Sequence, residues 1–309
     1  MPNRRVADIK GSLSGTTENE SKAPLIPSER VDEIAQLIKD TTATKAYRLS
    51  INESVTPGLT STKFGGLPYW PKGKPYPSTS KGQKLMLLAQ LRLEDFAACE
   101  KFPSHGLLQF FIDSDDDCSG MDFDDGCNQD GFRVVWHESI DQSVTSDDVK
   151  ALDVPNSFDS WDEALGNPLR GEFALDIRLE TSWINPACDA FDEVFLRCSR
   201  QLLGDEAVDG RDDWYSCLAK SDSERIFDLF EVKGPLHQVL GYPFFTQYDP
   251  RYVDGLKDMD TLMLQIDSDG VKNRDRVLWG DVGIGGFFIN GENLKRGDFS
   301  RVLFNWDCY

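Results

Sequence analysis

Four short segments of this 309-residue chain recur in the same order, each displaced by 168 to 177 positions. The pairs are Gly66-Leu67-Pro68 with Gly241-Tyr242-Pro243, 85–91 with 262–266, 106–113 with 283–290, and 133–136 with 301–304. Repetition in a fixed order is the sequence signature of a duplicated structural unit. We therefore predict two related halves about a pseudo-two-fold axis, with a cleft where they meet. The alternative is a coincidental likeness between hydrophobic strands.

The repeated segments also predict the fold class. Each half has a Gly-x-Pro turn and then apolar runs of 4–7 residues, rich in Phe, Leu and Val, which are typical of buried sheet. We expect an α+β fold that is mainly β, with two pseudo-symmetric β-sheet repeats, flanking helices and a partly helical insertion. The boundaries are a disordered tail at 1–27 and a single domain at 28–309, divided into repeat one at about 60–138, a mixed insertion at about 140–237 and repeat two at about 238–309.

Helical spacing of apolar residues predicts four helices outside the repeats. The first follows Ser28, whose side chain is expected to cap its N-terminus. The others cover 157–165, 192–203, which ends at Gly204, and 223–230. One strand is expected within 171–179.

The formal net charge of −20 limits the choice of partner. Such a surface repels phosphate backbones, so nucleic acid and anionic membranes are excluded as partners. It attracts basic proteins, cationic ligands or metal ions instead. The alternative is that the acidity serves only to keep the protein soluble.

The seven cysteines indicate the compartment. Their number is odd and no C-x-x-C pair occurs, a pattern that suits reduced thiols in a cytoplasm better than a disulfide framework. The three histidines are far apart, so no zinc spacing appears. The chain has no run of 18 apolar residues, and its first 28 residues lack the apolar stretch of a secretory signal. We expect a cytoplasmic protein without a cofactor.

Several motifs resemble those of the YwqG-like family, a domain of unknown function. They are KFGGLPYWP at 63–71, LAQL at 88–91, GLLQFFI at 106–112, GYP at 241–243, LMLQID at 262–267, WGDVG at 279–283 and DFSR at 298–301. The resemblance spans about 30–309 and implies a mainly β fold with flanking helices, without an established reaction. Some relatives are associated through gene neighbourhood with immunity against secreted toxins. The N-terminal tail and the segment 113–130, which is rich in aspartate, match the family poorly.

The segment 113–130 contains eight aspartates and no Lys or Arg, and this crowding is expected to raise carboxylate pKa values. Asp115, Asp117 and Ser119 resemble the first ligand positions of a calcium loop. An EF-hand is excluded, because a glycine occupies the twelfth position and a strand precedes the loop. Two interpretations stay open: a looser Ca²⁺ or Mg²⁺ site that also uses Asp125, and a solvated acidic loop.

The predicted cleft between the repeats has a definite set of polar candidates. Gln90 and Gln265 occupy equivalent places in two otherwise apolar strands, and a buried amide needs partners. They either satisfy backbone groups of the neighbouring repeat or line a ligand cleft. In the second case five further residues contribute to recognition of a peptide or small polar ligand: Asp249, Arg251, Trp279, Asp281 and Arg301.

The sequence favours a binding module over an enzyme. A rigid β scaffold would present its acidic surface to a basic protein partner, such as a toxin domain. No G-x-S-x-G elbow occurs and three histidines offer few general bases, so no catalytic residues are assigned. The runner-up is a hydrolase or lyase that uses Asp281 or Asp249 as acid or base. A structural or regulatory role is the third hypothesis.

Overall fold

A computed structural model describes residues 25–157 and 166–309. The described elements are α1 (Val31–Thr42), β1 (Thr44–Asn52), β2 (Lys63–Phe64), β3 (Met86–Arg92), β4 (Leu107–Ile112), β5 (Phe132–His137), α2 (Ser146–Lys150), β6 (Phe173–Ser182), α3 (Phe191–Leu203), α4 (Lys220–Leu229), β7 (Gln238–Leu240), β8 (Thr261–Asp267), β9 (Asp269–Val271), β10 (Arg274–Val277), β11 (Ile284–Ile289), α5 (Gly291–Arg296) and β12 (Leu303–Asp307). Strands dominate and helices flank them, which confirms the predicted fold class.

One antiparallel sheet of ten strands, in the order β12-β11-β8-β7-β1-β6-β2-β3-β4-β5, forms the body of the protein. Read from either edge, the sheet presents the last, third, second and first strands of one repeat and then a central strand. This order is the arrangement that a duplication predicts. The central strands come from elsewhere, because β1 precedes repeat one and β6 belongs to the segment between the repeats.

The pseudo-two-fold axis passes between the central strands. Ser50 of β1 pairs with Asp176 of β6 at its centre. Equivalent pairs flank this point on the two sides: Arg48 with Gln238, and Ala174 with Lys63. The ladders therefore align Lys63 with Gln238 at the 175-residue offset seen in the sequence.

The last strands of the repeats align differently from the sequence expectation. The segment 133–136 was predicted to match 301–304. In the sheet, Trp136 lies opposite Leu108 and Trp306 lies opposite Gly285, so the two tryptophans are the equivalent residues. A slip of two positions keeps every side chain on the same face of a strand, and for that reason the hydrophobic pattern could not distinguish the two alignments.

The curled sheet packs its repeats against each other through aromatic rings. Equivalent Phe110 and Phe287 have centroids 4.9 Å apart, and Phe304 stacks on Phe287 at 4.5 Å. Phe132 of β5 lies 5.3 Å from Phe304 of β12, so the two edges of the sheet approach each other. The prediction of a cleft at this junction is wrong here, because hydrophobic side chains fill the space between these strands.

The helices form a second hydrophobic core of their own. α1, α3 and α4 bury one face each around Phe191, Phe195 and Ile226, which confirms three predicted helices, and Gly204 ends α3 as expected. The Ser28 cap is wrong. Its hydroxyl donates to Asp222 (2.6 Å), and a short 3-10 turn precedes α1. Most of the predicted helix at 157–165 lies outside the described residues.

The N-terminal boundary lies earlier than predicted. Leu25 and Ile26 belong to the tail expected to be disordered, but both backbone amides donate to Cys217 O (3.0 and 3.2 Å), and Ile26 is buried. The rest of the predicted tail lies outside the described residues. Within the described ranges, no helix has the length and apolar character needed to cross a bilayer.

Candidate functional site

Gln90 and Gln265 are fully buried, with 0% and 1% of their surfaces exposed. Each side chain accepts a hydrogen bond from its own Gly-x-Pro turn and donates to a carbonyl near the start of the same repeat. The partners are equivalent in the two repeats: Tyr69 N and Ser61 O for Gln90 (3.1 and 2.9 Å), and Phe244 N and Leu236 O for Gln265 (2.8 and 2.8 Å). The glutamines therefore hold turns of their own repeats, and neither reaches a solvent-filled cleft.

Asp249 and Arg251 form an ion pair with both carboxylate oxygens engaged. Arg251 donates from Nε and Nη2 at 2.8 and 2.6 Å, and its guanidinium lies over the rings of Phe288 and Phe245. Burial alone lowers the pKa of Arg251, but the hydrogen bonds and charge of Asp249 outweigh this and raise it. Asp249 is 5% exposed. A carboxylate held in this way anchors a turn and is poorly placed to act as acid or base.

The remaining predicted ligand residues do not converge. Trp279 is buried, and its indole Nε1 has no hydrogen-bond partner among the described residues. Arg301 is half-exposed and donates to Asp258 and Gly255 O. Asp281 is exposed and lines a large open cleft beside repeat two. Of the seven predicted ligand residues, Asp281 alone lines this cleft.

The open cleft has a volume of about 2440 Å³. Its floor includes Ala46, Arg48 and Gln238, and its walls carry aromatic rings such as Trp183 and Tyr248. Five basic and five acidic side chains line it: Arg48, Lys233, Lys272, Arg274 and Arg276, with Glu180, Glu231, Asp269, Asp275 and Asp281. The whole chain has 33 basic and 53 acidic residues, so the cleft is less negative than the rest of the protein.

The predicted metal ligands form hydrogen bonds with other residues of the chain. Asp115 accepts from Gln83 Nε2 (2.7 Å), Ser119 donates to Gly166 O (2.7 Å), and Asp125 accepts from Cys127 N (3.0 Å). Among the residues that the structure describes, the potential ligand atoms that lie within 4.8 Å of one another belong to Asp116, Asp117 and Cys118. It shares one residue, Asp117, with the predicted set.

Residues 113–131 form the β4–β5 connection, here named the aspartate-rich loop, and it crosses to the other repeat. Phe304 N of β12 donates to Gly126 O (3.0 Å), and Trp306 Nε1 donates to Cys118 O (2.7 Å). The loop therefore covers the edge strand of repeat two. Covering an edge protects unpaired backbone groups from association with other chains, so the loop has a structural role.

The aspartates of this loop differ in protonation behaviour. Burial raises the pKa of Asp113, and the charges of Asp115 and Asp116 add to the effect. Hydrogen bonds from Asn128 and from backbone amides lower the pKa of Asp122. Burial raises the pKa of the Cys118 thiol to about 11. Crowding therefore does not raise all the carboxylate pKa values, because turn amides satisfy some of them.

A half-buried histidine, His137, joins a hydrogen-bond network in repeat one that the sequence pattern does not predict. His137 Nε2 lies 2.8 Å from Gln109 Oε1, and Gln109 Nε2 donates to Gln90 Oε1 (2.7 Å) and to Tyr69 O (2.8 Å). Because Gln109 Oε1 can only accept, Nε2 of His137 carries the proton. Burial lowers the pKa of His137 to about 4. The signal in the sequence was the polar Gln109 within an apolar run.

Fold and geometry define an internally duplicated antiparallel β-sheet protein with an open cleft beside one repeat. The family described as Domain of unknown function (DUF1963) has a model that matches residues 62–308, and the chain belongs to this family. The match covers both repeats and β6, while the central strand β1 precedes it. No curated protein matches the chain.

Proposed function

We propose that this protein is a binding module that presents an acidic surface to a basic protein partner. The observation that carries the proposal is Phe123, whose side chain is 78% exposed in the aspartate-rich loop. Asp122, Asp124 and Asp125 flank it; Asp124 and Asp125 are exposed and Asp122 is half-buried. An exposed aromatic ring within an anionic surface fits a partner with an apolar pocket bordered by Lys and Arg.

The anchoring of the loop supports the same function. The hydrogen bonds to Phe304 and Trp306 fix its two halves against β12, and Asp122 Oδ1 accepts from the amides of Asp124 and Asp125 (2.9 and 3.1 Å). A loop fixed before binding loses less conformational entropy when a partner docks. Phe123 is then a preorganised anchor.

The hydrolase or lyase alternative receives less support. Both oxygens of Asp249 are engaged by Arg251, so one of the two carboxylates assigned to acid–base chemistry is occupied. Asp281 lines the cleft, but Asp249, the other carboxylate assigned to acid–base chemistry, does not.

Two finer assignments belong to this proposal. The motifs around the two Gly-x-Pro turns support placing the chain with YwqG-like proteins, and a secreted toxin domain of high isoelectric point is one partner of the required chemistry. The seven cysteines are free thiols, which supports a reducing compartment such as the cytoplasm.

The test uses the full chain as bait and elutes captured proteins with a salt gradient. We expect basic proteins that elute as salt shortens the Debye length from about 10 Å at 0.1 M to about 3 Å at 1 M. Phe123→Ser should lose them. Val55→Ser, at another exposed apolar side chain (53%), should retain them. Equal capture by both variants, or captured proteins that are acidic, would refute the proposal.

A further inference from the structure

Among the residues described in the structure, a buried donor in repeat one has two acceptors, whereas its equivalent in repeat two has one. Lys63 of β2 and Gln238 of β7 occupy matching positions, since Lys63 pairs with Ala174 and Gln238 pairs with Arg48. Two residues earlier on β1, Ala46 pairs with Leu240. On this alignment Ala46 is the counterpart of Glu172, which lies two residues before Ala174.

In repeat one a carboxylate completes this site. Lys63 Nζ donates to Leu67 O and to Glu172 Oε1, both at 2.7 Å, with the lysine side chain 1% exposed. Burial lowers the pKa of Lys63, and the hydrogen bond and charge of Glu172 oppose this. The Glu172 side chain also lies directly over the Gly66 turn, where a Cβ would be 2.1 Å from its oxygen.

In repeat two the carboxylate is missing. Gln238 Nε2 donates to Tyr242 O (2.6 Å), the carbonyl equivalent to Leu67 O. Within the described ranges this carbonyl is its one acceptor, although the amide nitrogen has a second N–H. The counterpart of Glu172 is Ala46, which ends in a methyl group. Both Ala46 and Gln238 line the open cleft.

The positively charged guanidinium of Arg48 lies near this position. Arg48 neighbours Gln238 on the adjacent strand, lines the same cleft, and has 15% of its side chain exposed. It donates from Nη1 to Pro235 O (3.2 Å), and its Nε lies 3.5 Å from Glu180. A guanidinium has five N–H donors, so these two contacts leave capacity for a further acceptor.

We propose that the cleft beside repeat two binds a ligand carboxylate, which accepts from Gln238 as Glu172 accepts from Lys63 in repeat one. The Gly241 turn itself is covered by Ser182, whose hydroxyl accepts from Tyr242 N (3.0 Å) and which also lines the cleft. Gln238 and Arg48 are the donors. The charge of the surroundings permits an anion here, because basic and acidic side chains balance in the cleft while the protein as a whole carries −20.

The size of the cleft indicates the class of ligand. Sites for small molecules occupy about 300–1,000 Å³, and this cleft has about 2440 Å³. Its walls carry Trp183, Tyr242 and Tyr248, side chains that contribute much of the contact energy in peptide and protein recognition. The ligand is therefore an extended peptide whose carboxylate comes from an acidic side chain or from its C-terminus.

The experiment is an NMR titration of the ¹⁵N-labelled full chain, observing the side-chain amide of Gln238. The probes are three blocked tripeptides: acetyl-Ala-Glu-Ala-amide with a side-chain carboxylate, acetyl-Ala-Ala-Ala with a free C-terminus, and neutral acetyl-Ala-Gln-Ala-amide. We expect saturable shifts with at least one carboxylate peptide and none with the neutral one. The carboxylate peptide that binds more tightly identifies the source of the carboxylate.

Variants at the site complete the test. Arg48→Gln should weaken binding about tenfold or more, since hydrogen bonds to charged groups are the strong ones. Ala46→Glu supplies the carboxylate internally and should abolish binding. Lys45→Gln removes the charge of the exposed neighbouring residue on the same strand and should bind as the native protein does.

Three results would overturn the inference: no saturable binding of either carboxylate peptide, equal binding of the neutral peptide, or native affinity in Ala46→Glu. The site is distinct from the aspartate-rich loop, so Phe123→Ser should bind these peptides normally. Failure of the basic-partner proposal and failure of the carboxylate site are therefore separable outcomes.

Discussion

Replacing either buried glutamine by methionine should destabilise the protein, and Gln90 should matter more than Gln265. Methionine preserves the unbranched shape of the side chain but provides neither an amide donor nor a strong acceptor. Gln265→Met leaves Phe244 N and Leu236 O without their partner. A buried polar group without a partner costs about 1–3 kcal/mol, so we expect a loss of about 2–4 kcal/mol in the free energy of unfolding.

Gln90→Met removes more contacts. Gln90 Oε1 accepts from Tyr69 N and Gln109 Nε2, and its Nε2 donates to Leu59 O and Ser61 O. Leu59 O is on a half-buried residue and can be partly solvated. The expected loss is therefore about 4–6 kcal/mol, at the upper end for a single substitution.

The assay is urea unfolding followed by circular dichroism, with the denaturant slope checked for constancy. Gln36→Met is the control, because Gln36 is exposed on α1 and donates to Asp40 in its own helix. It should change stability by less than about 0.5 kcal/mol. Losses below about 1 kcal/mol in both core variants would show that these amides do not hold the turns. A larger loss for Gln265→Met would refute the ranking by number of hydrogen bonds.

Three further outcomes are expected. Burial lowers the pKa of His137 from 6.5 to about 4. The neutral imidazole therefore contributes its full stability above pH 6.5, and up to about 3 kcal/mol of the free energy of unfolding is lost as the pH falls toward 4. NMR should find this imidazole neutral at about pH 5.5, and a protonated ring at that pH would contradict the assignment. Gly66→Ala should destabilise far more than Gly73→Ala, because both glycines have positive φ (73° and 72°) but a Cβ meets Glu172 only at Gly66; equal thermal midpoints would remove the packing argument. Trp306→Phe removes the hydrogen bond to Cys118 O and should speed amide exchange in the aspartate-rich loop but not in β3; unchanged exchange would mean that the loop is anchored elsewhere.

The strands of the repeats could be predicted because apolar runs and their order are local information. β3, β4, β8 and β11 lie within one residue or so of the expected segments. The alignment of β5 with β12 could not be obtained in this way, since loops of different length separate equivalent strands and a slip of two residues preserves the hydrophobic pattern. The side-by-side arrangement of the repeats depends on β1 and β6, whose pairing spans more than a hundred residues.

The site was harder to predict because its parts are not close in sequence. Gln90 and Gln265 were identified as equivalent polar residues, but the sequence could not show that the backbone of each repeat satisfies its own glutamine. Asp249 and Arg251 were assigned to recognition, whereas they satisfy each other. The cleft combines residues from Ala46 to Tyr309, and no motif connects them.

The two repeats are most informative where they differ. Gln109 in repeat one corresponds to Gly286 in repeat two, and His137 corresponds to Asp307, which bonds the amides of Thr246 and Gln247. Neither position in repeat two leaves a polar side chain without a partner, because Gly286 has no side chain and Asp307 accepts hydrogen bonds from backbone amides. The position of Glu172 and Ala46 is different, because repeat one has a lysine and a carboxylate there, whereas repeat two has the amide of Gln238 and a methyl group. The Gln238 amide donates one N–H to Tyr242 O and has a second N–H beside an open cleft. A buried amide is more stable when both N–H groups have acceptors, and a ligand carboxylate would supply the second acceptor.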